Sequence, residues 1–434
     1  MVRINTIFKR LRGKRILILG FGREGRSSLA FIKKFLPHAE VGIADKNESA
    51  FKDLTVNPNG PTNPNNPKIH FGDNYLDAIS SYDIVLKTPG ISLKDQDIDL
   101  TKITSQTDLF LEEFHSQIIG VTGTKGKSTT STLIYHLLKE SGRDAILAGN
   151  IGIPVFDIIE KINNNSIIVF ELSAHQLQFI HRSPHIGILL NVFEEHLDHF
   201  GTFEAYRDAK LNIIRKMGEK DWTVTNDEFC YEADKMMLHS LNYQYYDFGV
   251  DWDEMPLKGA HNQLNVKAAL CAIYAFGIPV DDVLPHLKTF QPLEHRQELV
   301  GTFHGVTFYN DSISTIPQAA IAALQTIKNV TFLLLGGFDR EIDYTPLIKY
   351  LVENPIRHIL YTGKAGERMV KMLHDAGYHG DVKKIKDLNE AFENIKYLSK
   401  SGDVCLLSPA AASYDQYKNF EERGRIFKEL ARKF

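Results

Sequence analysis

Short apolar runs recur along the chain, most of them closing on a glycine or a polar motif. Ile16–Leu19, Val41–Ala44 and Asp83–Leu86 form one series. Ala145–Leu147, Ile167–Phe170 and Ile186–Leu190 form a second, and Val306–Tyr309, Thr331–Leu335, Ile359–Tyr361 and Val404–Leu407 a third. Continuous rather than alternating hydrophobicity marks strands covered on both faces. Between them lie helical patterns: one running to Phe35, one over Thr129–Glu140 with Leu133, Leu137 and Leu138 on a face, one begun by Tyr206, and an Ala-rich one over Val266–Phe276. This rhythm predicts an α/β chain with largely parallel sheets. We divide it into three expected domains, 1–106, 107–294 and 295–434, the last entered through a linker at Phe290–His295.

Each series ends in chemistry. The first carries Gly20-Phe-Gly22-Arg-Glu-Gly25 after a strand, and Asp45 stands twenty residues beyond Gly25. That is the layout of a Rossmann-like dinucleotide fingerprint, equally compatible with a fold of that type that binds no dinucleotide. The tight turn Thr88-Pro-Gly-Ile91 follows a further strand. The second series opens with Gly120-Val-Thr-Gly-Thr-Lys-Gly-Lys-Ser128, between Ile118-Ile119 and a helix. Strand, glycine-rich turn, Lys-Ser and helix make a phosphate-binding loop, in which glycines turn amide groups inward, Lys127 supplies a charge and Ser128 offers a hydroxyl to a phosphate-bound magnesium ion. Val121 stands where the usual pattern has its first glycine, so the loop is a variant. Glu171 follows a buried strand at a position suited to Mg²⁺. Acid and imidazole groups are dense in Asn191-Val-Phe-Glu-Glu-His-Leu-Asp-His199, which reads either as a metal site or as a solvated loop. In the third series, Asn310–Thr315 reads as the cap of a helix from about Gln318.

Composition narrows the picture. The chain has 434 residues and 43% hydrophobic content, enough for full cores, with a formal net charge of -4. It has no basic surplus, so nucleic acid is not an expected partner. Cys230, Cys271 and Cys405 have no metal or redox spacing, and a reducing, cytoplasmic location is expected. The basic, amphipathic Met1–Arg15 precedes an apolar run too short for a signal peptide or a membrane span. Asn57–Pro67, rich in Asn and Pro, reads as a mobile surface loop, and no internal repeat is evident.

The order of the motifs is more specific than any one of them. The phosphate loop, Gly149-Asn-Ile-Gly152, Glu171-Leu-Ser, Asn191-Val with His196-Leu-Asp, Tyr206-Arg-Asp-Ala-Lys210, His261-Asn262, His295-Arg296, Asn310-Asp-Ser and Ser408-Pro-Ala-Ala-Ala-Ser-Tyr-Asp-Gln416 span nearly the whole chain. Together they resemble the ATP-dependent Mur ligases of peptidoglycan synthesis, and Ser408–Gly424 points to the branch that adds glutamate to UDP-N-acetylmuramoyl-L-alanine. The resemblance implies a Rossmann-like first domain that binds UDP rather than NAD, a central ATPase-like domain and a Rossmann-like C-terminal domain. Gly22, Arg23, Glu24, Asp45, Lys46 and Gly90 would hold the UDP end of the substrate, and Asn150 and His196 its muramoyl end. ATP would lie on Gly123, Thr124, Lys125, Gly126, Lys127, Ser128 and Thr129, with Asn262, Asn265, Arg296 and Asp311. Mg²⁺ would be held by Ser128, Glu171, His196 and a carbamylated Lys210. Lys127, Lys210, His196 and Glu171 would carry the chemistry, and a monomer is expected, acting on small molecules without membrane insertion.

The chain departs from the family pattern at three places. Ile313 stands where Asn-Asp-Ser is usually followed by Lys, Arg340 where a lysine follows the Gly-Gly turn, and Lys125 where Asn is frequent. Thr315, Arg340, Ser413, Tyr414 and Phe420 fall on the amino-acid-binding positions. D-glutamate addition is the first expectation and L-glutamate addition the alternative. Another amide ligase of the fold, a silent nucleotide binder and an NAD-dependent oxidoreductase are further readings, the last explaining only Gly20–Asp45.

Overall fold

The computed structural model describes residues 4–54, 57, 60–94, 96–150, 153–291 and 294–434. Parts of several expected features lie outside them: residues 1–3 of the basic N-terminus, Pro58 and Asn59 of the Asn-Pro loop, Ile151 and Gly152 of the Gly-Asn-Ile-Gly turn, Pro292 and Leu293 of the linker, and the side chain of Asp198. Among the described residues no single helix is long and apolar enough to cross a membrane.

Three sheets form the framework. The first contains β1 (Arg15–Leu19), β2 (Glu40–Asp45), β3 (Lys68–Phe71), β4 (Ile84–Lys87) and β5 (Ile103–Thr104), in the order β3-β2-β1-β4-β5, all parallel. The second contains β6 (Ile118–Thr122), β7 (Ala145–Gly149), β8 (Ile167–Glu171), β9 (Ile186–Leu189), β10 (Trp222–Thr225) and β11 (His239–Asn242), in the order β11-β10-β9-β6-β8-β7, again all parallel. Its central strands are buried at every position, as continuous apolar runs require. The third contains β12 (Glu298–Phe303), β13 (Val306–Asn310), β14 (Val330–Gly336), β15 (His358–Thr362), β16 (Asp381–Lys384) and β17 (Val404–Leu407), in the order β12-β13-β17-β14-β15-β16. There the edge strand β12 runs antiparallel to β13 and the other pairings are parallel.

The described residues group into two compact units, Met1–Pro256 with His261–Phe290, and Leu257–Ala260 with Gln291–Phe434. The first two sheets share the first unit and one hydrophobic core that runs from Ile7 and Ile18 through Phe31 and Phe110 to Phe156 and Phe170. Phe31 and Phe156 lie 4.3 Å apart between ring centroids, and Ser27 donates to Asp157 at 2.6 Å, so the junction is both apolar and hydrogen-bonded. Gly25 sits where a Cβ would lie 2.1 Å from the Gly20 carbonyl oxygen, the close helix–strand approach that the third glycine of the fingerprint permits. The second unit packs two apolar clusters, one around Leu333, Leu347 and Met369 and one around Phe308, Phe392 and Phe427.

Several elements differ from the sequence reading. Glu171 is the last residue of β8 rather than the residue after it. The helix expected from Tyr206 begins at Phe203, where the Thr202 side chain accepts from the Ala205 amide. His261 and Asn262 lie inside the helix Ala260–Ala275 rather than before it. Asn310 to Thr315 do not cap a helix: Asn310 ends β13 and its side-chain amide reaches His295 and Glu298, while the helix Pro317–Thr326 starts after Ile316 with no side-chain cap.

Candidate active site

The carboxyl ends of β6, β7, β8 and β9 gather most of the predicted chemistry of the first unit, as expected of an open parallel sheet. The loop after β6 turns at Gly126, whose φ of 87° is left-handed, into the helix Lys127–Glu140. Gly126 also leaves room for a neighbour, since a Cβ there would lie 2.4 Å from the Asn265 Oδ1. Asn265 is buried and donates to the Asn262 side chain at 3.1 Å, so the Ala-rich helix delivers both expected asparagines to the loop. The loop is clamped from β9 as well: Asn191 Oδ1 accepts from the Lys125 amide at 2.8 Å and its Nδ2 donates to the Lys125 carbonyl at 3.1 Å. Residues 125–128 are half-buried. Lys127 Nζ donates to the carbonyls of Gly123 and Thr124, at 2.9 and 3.0 Å.

Glu171 is buried at the end of β8, with Asn150 Nδ2 2.8 Å from Oε1 and Ser131 Oγ 3.5 Å from Oε2. The Lys210 ammonium bears on it electrostatically. A buried carboxylate beside hydroxyl and amide groups suits a hard cation such as Mg²⁺. Lys210 is fully buried below the loop, donating to the Gly123 carbonyl at 2.8 Å, with Nζ 4.9 Å from the centre of the Tyr206 ring. Burial, and then the nearby Lys127 ammonium, push its pKa well below the ordinary lysine value. His196 adopts a left-handed φ of 59° and lies against the rings of His175 and Tyr206, at 4.8 and 6.0 Å. Burial raises the pKa of Glu195, but Lys125, His196 and Lys127 together hold it below the usual value; Lys125 Nζ is 3.2 Å away.

The nucleotide-side residues divide. Arg23, Glu24 and Asn150 line one cavity of about 170 Å³, with Pro89, Thr107 and Gln176 among its other walls. Asn150 thus links that cavity to Glu171. Asp45 spends its carboxylate on the backbone, accepting from the amides of Phe21 at 2.7 Å and Asn47 at 2.8 Å, so it holds the Gly20–Gly22 turn in place. Lys46 is exposed and lies 3.7 Å from Asp73. A cavity of about 920 Å³ sits in the second unit beside Arg357, Tyr378 and Asp403, at the amino ends of the third sheet's strands and away from the predicted residues.

In the second unit, Asp311 is buried, accepting from Ser314 Oγ, from Ser408 Oγ at 2.7 Å and from the Gln297 amide at 3.1 Å. Burial pushes its pKa up to about 6 against those hydrogen bonds. Arg340 Nη2 donates to the Thr315 carbonyl at 2.7 Å. Tyr414 packs on Phe338, and Ser312 Oγ donates to the Phe420 carbonyl at 2.8 Å, so the positions expected to bind the amino acid cluster around one loop set.

Three residues escaped the sequence reading. Tyr206 was legible, because four residues of helix put it on the same face as Lys210; its hydroxyl lies 3.0 Å from Thr124 Oγ1. Lys87 and His175 give no sequence signal, since each becomes notable only through burial and neighbours that the fold supplies.

The chain matches two family descriptions: the Mur ligase middle domain over residues 121–253, and the Mur ligase, glutamate ligase domain over residues 295–411. It is 36% identical to the UDP-N-acetylmuramoylalanine--D-glutamate ligase of Symbiobacterium thermophilum, over 83% of this chain and 86% of that one. With the enzyme of the same name from Acetivibrio thermocellus the identity is 32%, over 99% and 98%. Among solved structures, MurF from Acinetobacter baumannii gives a TM-score of 0.62 at 14% identity over 98% of each chain. MurC from Thermotoga maritima gives 0.56 at 18% over 97% of this chain and 99% of that one; at these identities both speak for the fold.

Proposed function

Because the chain belongs to the Mur ligase family, with full-length likeness to its D-glutamate ligases, we propose that it joins D-glutamate to UDP-N-acetylmuramoyl-L-alanine using ATP. The observation that carries this reading is that Lys127 and Lys210 both reach the Gly123 carbonyl of the phosphate loop while Glu171 lies against the helix that follows it, at the carboxyl edge of the second sheet. The substrate's L-alanyl carboxylate attacks the γ-phosphate of ATP, giving an acyl phosphate and ADP. The amine of glutamate then displaces phosphate and forms the amide. Two anions must approach in the first step, and Lys127 and Lys125 offset the charge that builds up between them. Positioning by the clamped loop supplies much of the rest.

Ser128, Glu171, His196 and a carbamylated Lys210 would hold Mg²⁺, and when bound the ion offsets negative charge on the phosphates. The buried Glu171 carboxylate at the end of β8, near the helix that follows the phosphate loop, supports this assignment. A neutral amine at Lys210 adds CO₂, forming an N–C bond and releasing one proton, and the product is an anionic oxygen ligand. Asn262 and Asn265, beside Gly126, and Arg296 and Asp311 in the second unit keep the nucleotide role implied by the family. Thr315, Arg340, Ser413, Tyr414 and Phe420 would receive glutamate, with residues 1–106, 107–294 and 295–434 as the UDP, ATP and glutamate segments.

The test is phosphate release with ATP, Mg²⁺ and UDP-N-acetylmuramoyl-L-alanine, supplying D- and L-glutamate separately. Release with D-glutamate alone is expected. Release with L-glutamate alone would keep the mechanism and overturn the stereochemistry, and release with neither would overturn the reading.

A further inference from the structure

Glu24 is an awkward residue where it stands. It occupies the first turn of the helix Arg23–Phe35, whose amino end would otherwise attract the substrate's diphosphate, and it lines the small cavity with Arg23 and Asn150. Its backbone carbonyl is used, accepting from Gln106 Nε2 at 2.9 Å and Ser28 Oγ at 3.1 Å, but among the described residues its carboxylate has no hydrogen-bond partner. A bare carboxylate there repels the diphosphate unless something offsets it.

Lys87 is placed to do so. It is the last residue of β4, paired in register with Leu19 just before the Gly20–Gly22 turn, and it is only 3% exposed. Its Nζ donates to the Thr88 carbonyl at 3.2 Å and lies 5.4 Å from the centre of the Phe179 ring. Glu24 is the anionic group that bears on it. Among the described residues its ammonium makes one hydrogen bond, so two of its three donors remain for other partners.

We propose that Lys87 is a positioning residue for the acidic nucleotide substrate: its buried ammonium offsets the Glu24 carboxylate, so that the diphosphate can dock at the head of the helix Arg23–Phe35. The inference rests on the UDP-substrate reading above. It adds that the buried Lys87 and the half-buried Glu24, not the exposed Lys46, set the local charge.

The pair also makes docking sensitive to pH. Burial pushes Glu24 up to about 7 and Lys87 down to about 8, in each case against their mutual attraction. An incoming anion favours the protonated form of both groups. Substrate binding therefore draws in protons, and affinity falls as the pH climbs through that interval. Among the described residues, Arg23 lines the cavity from Glu24's own helix, and the His175 imidazole bears on Lys87 from the other side.

The experiment is steady-state kinetics with UDP-N-acetylmuramoyl-L-alanine varied at saturating ATP and glutamate. It compares wild type, Lys87→Met, Glu24→Gln and the double variant at about pH 6.5 and about pH 9. Lys87→Met is expected to raise the KM for the nucleotide substrate about tenfold, with kcat and the KM for ATP within about twofold of wild type. Adding Glu24→Gln should recover most of that loss, which a merely structural lysine would not allow. Glu24→Gln alone should flatten the rise of KM with pH. An unchanged KM in Lys87→Met, or a loss that Glu24→Gln does not repair, overturns the proposal. Should Lys87→Met fail to fold, Glu24→Gln decides: a pH dependence as steep as wild type overturns it. Wild type that turns over with some other acceptor but not with the UDP substrate would instead sink the functional reading, and this inference with it.

Discussion

Replacing Lys210 by methionine separates the chemistry proposed for that residue from its packing. The two side chains are close in volume, so the buried site below the phosphate loop should neither collapse nor open. The stability lost is what the amine contributes. Its one good hydrogen bond runs to the Gly123 carbonyl at 2.8 Å, and the contact with Thr122 Oγ1 is at 3.5 Å. A hydrogen bond of this kind is worth about 0.5–1.5 kcal/mol. The Gly123 carbonyl keeps a second donor, Lys127 Nζ at 2.9 Å, so it is not orphaned. The melting temperature should therefore fall by only a few degrees, since about 1 kcal/mol moves a domain of this size by roughly 2–4 °C. Activity should fall far more, because removing one preorganised charge-stabilising group costs about 10²–10³ in kcat. Phosphate release and thermal unfolding on the same samples, in CO₂-depleted buffer with and without added bicarbonate, check both halves. Wild type should lose activity in depleted buffer and recover it with bicarbonate, and Lys210→Met should respond to neither. Lys210→Ala, which opens space, should recover partly with short carboxylic acids. A methionine variant that keeps more than about a tenth of the wild-type kcat would refute the argument.

Two further substitutions probe the loop itself. Lys127→Ala removes a charge held against loop carbonyls and no core volume, so phosphate release should vanish while the melting temperature holds; near wild-type turnover would overturn the phosphate-loop assignment. Gly126→Ala puts a Cβ into a left-handed position, at about 1–2 kcal/mol, and 2.4 Å from the Asn265 amide. It should lower the melting temperature and raise the KM for ATP several-fold, and an unchanged KM would show that Asn265 does not need to sit there.

The legible parts of this chain were those in which local sequence and tertiary environment agree. The inner strands β1, β6, β8, β9, β14 and β17 are continuous apolar runs because both faces are covered, so burial wrote itself into composition. The phosphate loop was legible because Gly, Lys and Ser are demanded by backbone geometry and charge together. The strands that escaped lie at or near sheet edges. β16, Asp-Val-Lys-Lys, is almost wholly exposed, and β11 and β3 are little better. Such segments become strands because a neighbour offers a ladder of hydrogen bonds, and their charges keep the free edge from pairing further. β12 escaped for the same reason, as the edge strand that pairs antiparallel with β13.

Charge was the least legible property, because its meaning depends on what lies within a few ångströms. Ile313 and Arg340 read as losses of lysine, yet the second unit keeps fixed positive charge beside the loops proposed to bind the amino acid. Arg423 is buried, donating to Ser312 Oγ at 3.0 Å, to the Ser312 carbonyl at 2.8 Å and to the Ala411 carbonyl at 3.1 Å. Burial lowers its pKa only to about 10, so it stays ionised at neutral pH and ties the loop after β13 to the loop after β17. Arg340 is pinned to the Thr315 carbonyl rather than swinging free. A guanidinium held this way offers its remaining donors in a fixed fork, whereas a lysine ammonium can follow its partner. On the proposed reading, the attraction for glutamate therefore survives the loss of the lysines. On the same reading, the bond to the Thr315 carbonyl sets the direction in which Arg340 meets either enantiomer.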